Sequence, residues 1–338
     1  MKKDQQKIKA LFLARFSGKC LKNAAVVTLM LCGGLSAKQA QAQQQPQYTQ
    51  YIFNGLVLNP AYAGTKEQTQ ANVLHRSQWA GLEGAPTTQT LFVDGAVKEN
   101  RIGLGFQAMH DRIGAQGQLS AHASVAVRIR MGEQAKLSFG MAGGIVQYSL
   151  DGTKLVIGAP DPSIPQTKET TIMPDAKAGL FFHTDRFYAG LSAANLFRFK
   201  NNLLVTPQRH YFLTSGYVFD LGESLKLKPS FLLKEDFNGP TNLDLNTFIL
   251  VKERIWLGAS YRTGIDIFEK DFSENVQNSN ERNTWAFATE LYVTPQFRLG
   301  YAYDLTLGSL NNYAGHEVSA GYTFLKKQDS RMLSPRYF

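Results

Sequence analysis

The sequence predicts an all-β protein: a transmembrane, antiparallel, up-and-down β-barrel of about 14 strands, with an N-terminal plug-like segment and a short periplasmic C-terminal tail. Three observations predict it. Residues 71–325 repeat with a period of two rather than 3.6. The connections between the repeating segments alternate between tight and long. The chain also opens with the three parts of a secretory leader.

The leader comes first. A basic region ends near Lys22, an apolar run covers Ala24 to Leu35, and Ala40-Gln41-Ala42 forms a small-residue cleavage site. The apolar run is shorter than the roughly 18–20 residues a spanning helix needs, so cleavage after Ala42 is expected over an uncleaved membrane helix. Leu31 before Cys32 argues against a lipoprotein site.

The leader also explains the charge. Lys2, Lys3, Lys7, Lys9, Arg15, Lys19, Lys22 and Lys38 against Asp4 account for +7 of the formal +9, leaving +2 for residues 43–338. No basic patch remains to argue for nucleic acid. Both cysteines, Cys20 and Cys32, fall in the leader, so the mature chain is expected to hold no disulfide, thiolate metal site or Cys nucleophile.

Residues 43–70 form a plug or mouth segment, and Gln47–Thr65 is too apolar for a free tail. One or two helical turns around Tyr51–Leu58, broken at Asn59-Pro60, are expected there. A plug inside the lumen is preferred to a belt packed outside the barrel mouth. About 14 strands enclose more space than inward side chains fill, since roughly eight is the filled size.

The strands follow, at residues 71–80, 86–97, 101–111, 117–130, 135–150, 174–183, 186–195, 209–220, 224–235, 241–252, 255–266, 282–292, 296–305 and 315–325. In them Phe297, Leu299, Tyr301 and Tyr303 alternate with Arg298, Gly300, Ala302 and Asp304, and Trp285, Phe287, Thr289 and Leu291 alternate with Ala286, Ala288 and Glu290. One face is apolar and aromatic. The other is expected to be mainly Gly, Ala and Ser, with only 19% of the chain charged. If the mature chain crosses a membrane it must do so as strands, because no later apolar stretch suits a helix.

The tight connections include Lys98-Glu99-Asn100, Thr184-Asp185, Glu253-Arg254 and Thr294-Pro295; the longer ones include 112–116, 151–173, 196–208 and 267–281. Transmembrane barrels pair short periplasmic turns with long outer loops, whereas a soluble sandwich has no reason to. Phe187, Tyr188, Tyr217, Phe219, Tyr301, Tyr303, Tyr322 and Phe324 near strand ends suit interfacial girdles.

Catalytic signals are poor. His75, His110, His122, His183, His210 and His316 lack metal-ligand spacing. Gly103-Leu104-Gly105 lies within a strand and forms no phosphate loop. Asp111-Arg112 reads as turn chemistry. His122 with Ser120 or Ser124 is the only Ser-His pairing worth naming, and nothing singles it out. No cofactor, metal or enzymatic activity is expected.

Four places carry a resemblance: Gln50-Tyr51 with Asn59-Pro60-Ala61-Tyr62-Ala63-Gly64; Arg76-Ser77-Gln78-Trp79 with Gly84-Ala85-Pro86-Thr87-Thr88; Gly103-Leu104-Gly105 with His110-Asp111-Arg112-Ile113-Gly114; and Ser334-Pro335-Arg336-Tyr337-Phe338. On these the mature chain resembles the PorP/SprF family of outer-membrane proteins of the type IX secretion system of Bacteroidetes. The resemblance implies a non-enzymatic barrel in the cell outer membrane that serves protein secretion or gliding motility. Its implied partners are outer-membrane lipid, a secreted cargo or the C-terminal domain of an adhesin, and periplasmic secretion-machine or peptidoglycan-binding components. The alternative is a passive channel or transporter of small apolar solutes.

Two candidate sites are named. Asn59, Pro60, Tyr62 and Gly64 are expected to be clamped against the wall by Arg76, Gln78 and Trp79. In the tail, residues 326–338, Pro335, Arg336, Tyr337 and Phe338 are expected to dock on the periplasmic mouth or a partner there, through a forked arginine pair and an aromatic anchor.

Overall fold

The computed structural model describes residues 48–155, 166–197, 207–265, 267 and 283–324. The leader and the C-terminal tail lie outside the described residues.

Alternation becomes wall in a single antiparallel sheet. Its strands are β1 (Thr69–Ser77), β2 (Thr87–Val97), β3 (Ile102–Ile113), β4 (Gln116–Met131), β5 (Ala135–Asp151), β6 (Lys168–His183), β7 (Phe187–Ala194) and β8 (His210–Tyr217). After the two-residue β9 (Phe219–Asp220) come β10 (Leu225–Glu235), β11 (Thr241–Val251), β12 (Ile255–Ile265), β13 (Thr284–Tyr292), β14 (Phe297–Thr306) and β15 (Ala314–Phe324). β9 continues β8 past Val218, and both pair with β10, so the wall has fourteen staves. β1 pairs with β15 from Thr69↔Phe324 to Ser77↔His316, which closes the sheet and leaves no edge to aggregate.

The face that looks outward is apolar. Val73, Val125, Val127, Ile129, Leu257 and Leu299 are all exposed, a burial pattern opposite to that of a soluble sandwich. Aromatic pairs sit at the short-turn end, with ring centroids of Tyr217 and Phe219 4.6 Å apart and those of Tyr322 and Phe324 5.0 Å apart. Tyr188 departs from the expected girdle: it occupies an inward position on β7 and is buried in the lumen.

The inward face also departs from expectation. Besides Gly, Ala and Ser it carries Arg76, Asp94, Arg128, Lys228, Asp244, Arg262, Glu290, Arg298, Asp304 and Glu317, all buried. The low overall charge concealed this, because the charges are concentrated on one face of the strands rather than spread over a wetted surface.

The short-turn end is built from tight reversals, such as Lys98, Glu99 and Asn100, all in the left-handed region, and Lys252-Glu253, with φ of 48° and 54°. Two outer connections are shorter than expected. β3 runs through Asp111 and Arg112 to Ile113, so these residues are strand rather than turn, and Gly114 (φ 54°) makes the reversal. β6 begins at Lys168, and Asp151↔Lys168 to Val146↔Met173 continue the pairing outward. Above the membrane both faces of a hairpin meet water, so no apolar period marks that extension.

Candidate functional site

The site is the lumen, and it is occupied by the chain's own N-terminal strap. Residues 48–65 hold three 3-10 turns, Gln50–Phe53, Gly55–Val57 and Pro60–Tyr62. Asparagines punctuate them. Asn54 Oδ1 accepts from the Leu56 amide at 3.2 Å and Asn59 Oδ1 from the Ala61 amide at 2.9 Å, each capping the next turn. Asn59-Pro60 therefore starts a third turn as well as ending the second, with proline at the first position, where its missing N–H costs nothing.

The strap touches strands all round the wall, which only a segment inside the cylinder can do. Near the long-loop end, Glu317 of β15 accepts the backbone amides of Thr49 (2.8 Å) and Gln50 (3.0 Å). Thr49 Oγ1 donates to Asp304 of β14 at 2.7 Å. Arg76 of β1 ties the two acids together, at 2.6 Å from Asp304 and 2.9 Å from Glu317. Deeper in, Asn246 of β11 donates to the Tyr51 hydroxyl (2.9 Å), and Lys228 of β10 donates to the Ile52 carbonyl (3.2 Å). Ser192 of β7 donates to the Leu58 carbonyl (2.7 Å), and Asn59 Nδ2 donates to the Leu180 carbonyl of β6 (2.8 Å). At the short-turn end Arg128 of β4 holds the Ala63 carbonyl (3.0 Å), and Asp94 of β2 accepts from the Gly64 amide (2.9 Å).

Register gives the strap a direction. Tyr48 reaches Thr90 and Met109, near the outer ends of β2 and β3, while Gly64 meets Asp94, near the periplasmic end of β2. The strap thus runs from the outer half of the lumen down to the periplasmic mouth, where Gly64 (φ 68°) turns the chain into β1.

Glycines on the wall make room for it. A Cβ on Gly103 would collide with the Ala63 carbonyl, one on Gly140 with the Ala61 backbone, and one on Gly179 with the Asn59 side chain. Gly103 is explained by this close approach of two backbones, while Gly105 leaves room for the Leu56 and Ala63 side chains. Burial of the strap pushes the Tyr48 hydroxyl above its ordinary range and pulls the Lys66 ammonium down to about 8, with Arg298 adding repulsion.

Of the residues expected to form a clamp, Arg76 is central but grips Asp304 and Glu317 rather than Asn59–Gly64. Gln78 and Trp79 lie beyond the end of β1, in the turn to β2, with Trp79 at φ 52°. That is the opposite end of β1 from the one near Gly64, since Asp94 pairs with Gln70. The clamp on Asn59–Gly64 consists instead of Asp94, Arg128 and the β6–β7 carbonyls. Pro335, Arg336, Tyr337 and Phe338 lie outside the described residues.

Above the strap a small cavity of about 60 Å³ opens, with Tyr51 and Leu58 of the strap, His122, His210, Phe212 and Lys177 among its lining. His122 Nε2 lies 2.8 Å from Asp175 of β6, and Ser120 is buried on the same inward face of β4. No group of three or more His, Cys, Asp or Glu poised for a metal occurs among the described residues.

A closed, lipid-facing cylinder with an ionic, strap-filled bore defines an outer-membrane β-barrel protein. The family model described as "Type IX secretion system membrane protein PorP/SprF" matches residues 40–322, and the chain belongs to that family. No curated protein matches. Among solved structures, the CymD monoaromatic hydrocarbon channel has 10% identity and a TM-score of 0.49, covering 85% of this chain and 97% of its own. A Pseudomonas aeruginosa FadL homologue has 10% identity and a TM-score of 0.47, covering 85% and 96%. Omp33 of Acinetobacter baumannii has 10% identity and a TM-score of 0.46, covering 77% and 100%.

Proposed function

We propose that this barrel serves the type IX machinery as a docking component rather than as a conduit. It helps export or surface-anchor cargo proteins such as a large adhesin, receiving the cargo's C-terminal domain at its outer loops and vestibule. Its short-turn face and tail meet periplasmic secretion-machine or peptidoglycan-binding components. The role is non-enzymatic.

One observation carries this reading: the strap occupies the bore and is tied to β2, β4, β6, β7, β10, β11, β14 and β15. A bore filled in this way leaves the two ends of the cylinder as the surfaces on offer. The test is a pull-down from detergent-solubilised outer membrane. Recovery of a large secreted adhesin together with periplasmic machine components supports the proposal. A barrel that purifies alone from cells in which secretion is active contradicts it. Removing Arg336–Phe338 should lower recovery of the periplasmic partners while the barrel still assembles.

A second reading, a channel or transporter of small apolar solutes, is favoured by the vestibule, whose lining includes Val57, Leu58, Met109, Phe212 and Leu232. Steady single-channel conductance of the purified wild-type barrel would select it.

A further inference from the structure

Among the described residues the outward face is mostly apolar, and one sector gathers a run of polar groups. On β1, β2 and β3, His75 pairs with Gln89 and Gln89 with His110, so three polar residues stand side by side on the lipid-facing surface. One pleat nearer the outer rim, His316 of β15, Ser77, Thr87 and Arg112 form a second row in continuous register. His75, Gln89, His110 and Arg112 are exposed. Beyond His110 the row continues as Leu119 and Gln147, and near the outer ends of other strands the outward residues are Leu213, Leu245 and Trp285.

The sector has one sign of charge. The acids of these four strands, Asp94, Asp111 and Glu317, all turn away from it: Asp94 and Glu317 hold the strap, and Asp111 accepts from the buried Thr88 hydroxyl at 2.6 Å. Only Arg112 and imidazoles remain outside, with the Tyr301 hydroxyl 2.9 Å from His316 Nδ1. The rows lie within three residues of the outer strand ends, where hydrocarbon gives way to headgroups. Strands about 4.8 Å apart and pleats about 6.7 Å apart make the patch roughly 14 by 7 Å, the scale of one phosphorylated sugar headgroup. Polar side chains on a lipid-facing surface need partners, and forked arginine and imidazole N–H donors suit a phosphate.

We infer that the outer third of β15–β3 is a binding site for the phosphate-bearing headgroup of an outer-leaflet glycolipid. Arg112 supplies the charge, and His75, Gln89 and His110 supply directed hydrogen bonds. The lipid then orients this side of the barrel, which is independent of what docks at either end.

The test is native mass spectrometry of the detergent-purified, full barrel with added diphosphoryl lipid A, fully dephosphorylated lipid A, or inorganic phosphate. The comparison variant combines His75→Val, His110→Leu and Arg112→Gln. Arg112→Gln alone is measured as well, so that the site stays testable if the triple variant fails to fold. Heat-modifiable gel mobility reports a closed barrel. The wild type should retain diphosphoryl lipid A at least about fivefold better than either variant and better than it retains the dephosphorylated lipid. Equal retention by wild type and variants, or indifference to the phosphates, overturns the site. An adduct formed as readily with inorganic phosphate alone overturns its assignment to lipid.

Discussion

Replacing Glu317 with Ala should unfasten the outer end of the strap while leaving the barrel closed. Glu317 accepts the Thr49 and Gln50 amides and the Arg76 guanidinium, and it is fully buried. Its loss deprives two backbone donors of a charged acceptor, at about 1.5–3 kcal/mol each. Arg76 keeps Asp304 at 2.6 Å, so its own charge is not orphaned. Relief from burying the Glu317 carboxylate offsets part of the loss, leaving about 3–4 kcal/mol against docking. At about 1.4 kcal/mol per tenfold, the released fraction of the strap should rise by two orders of magnitude or more. The assay exploits the position of both cysteines, Cys20 and Cys32, before the expected cleavage point: Ile52→Cys, at a buried position of the strap next to Thr49 and Gln50, then gives a single thiol in the mature chain. Its labelling by a membrane-impermeant maleimide, with and without Glu317→Ala, reads release directly. Unchanged labelling in a variant with normal heat-modifiability would refute the idea that Glu317 holds the strap.

Gly103→Val drives a side chain into the Ala63 carbonyl and should cost about 1–3 kcal/mol, seen as protease cleavage near Gly64. Trp79→Ala should leave protease sensitivity of the strap unchanged, because Trp79 lies past the outer end of β1; cleavage at Asn59–Gly64 in that variant would restore the clamp expected from the sequence. Lys66 has a folded-state value lowered to about 8, so between about pH 8 and 10.4 the released strap binds a proton that the docked strap does not, and docking strengthens as pH rises through that window. Release in the wild type relative to Lys66→Met should therefore fall from pH 8 to pH 10; a flat ratio counts against burial of the ammonium.

Much of this molecule was legible before its coordinates were. Pleating makes side chains alternate, so Leu119, Val125, Val127 and Ile129 announced both a strand and its lipid face without reference to any partner strand. Turn and loop lengths told a short-turn end from a long-loop end. The strap was visible as a segment too apolar to be free, and Asn59-Pro60 as a break in it. The signals failed where both faces meet the same medium, as at Lys168–Met173, and where a turn-like string, Asp111-Arg112, was held in a strand by its pairing with Thr87 and Thr88.

What the sequence determined by itself was local: period, polarity of each face and spacing of reversals. Whether Arg76 would meet Asn59 or Glu317 depended on the closure of β1 against β15, which brings together residues 241 positions apart. The acids that hold the strap, the glycines that admit it and the outward histidine rows all depend on how each strand is staggered against its neighbours. That stagger is set by closing the whole cylinder, and no window of adjacent residues contains it.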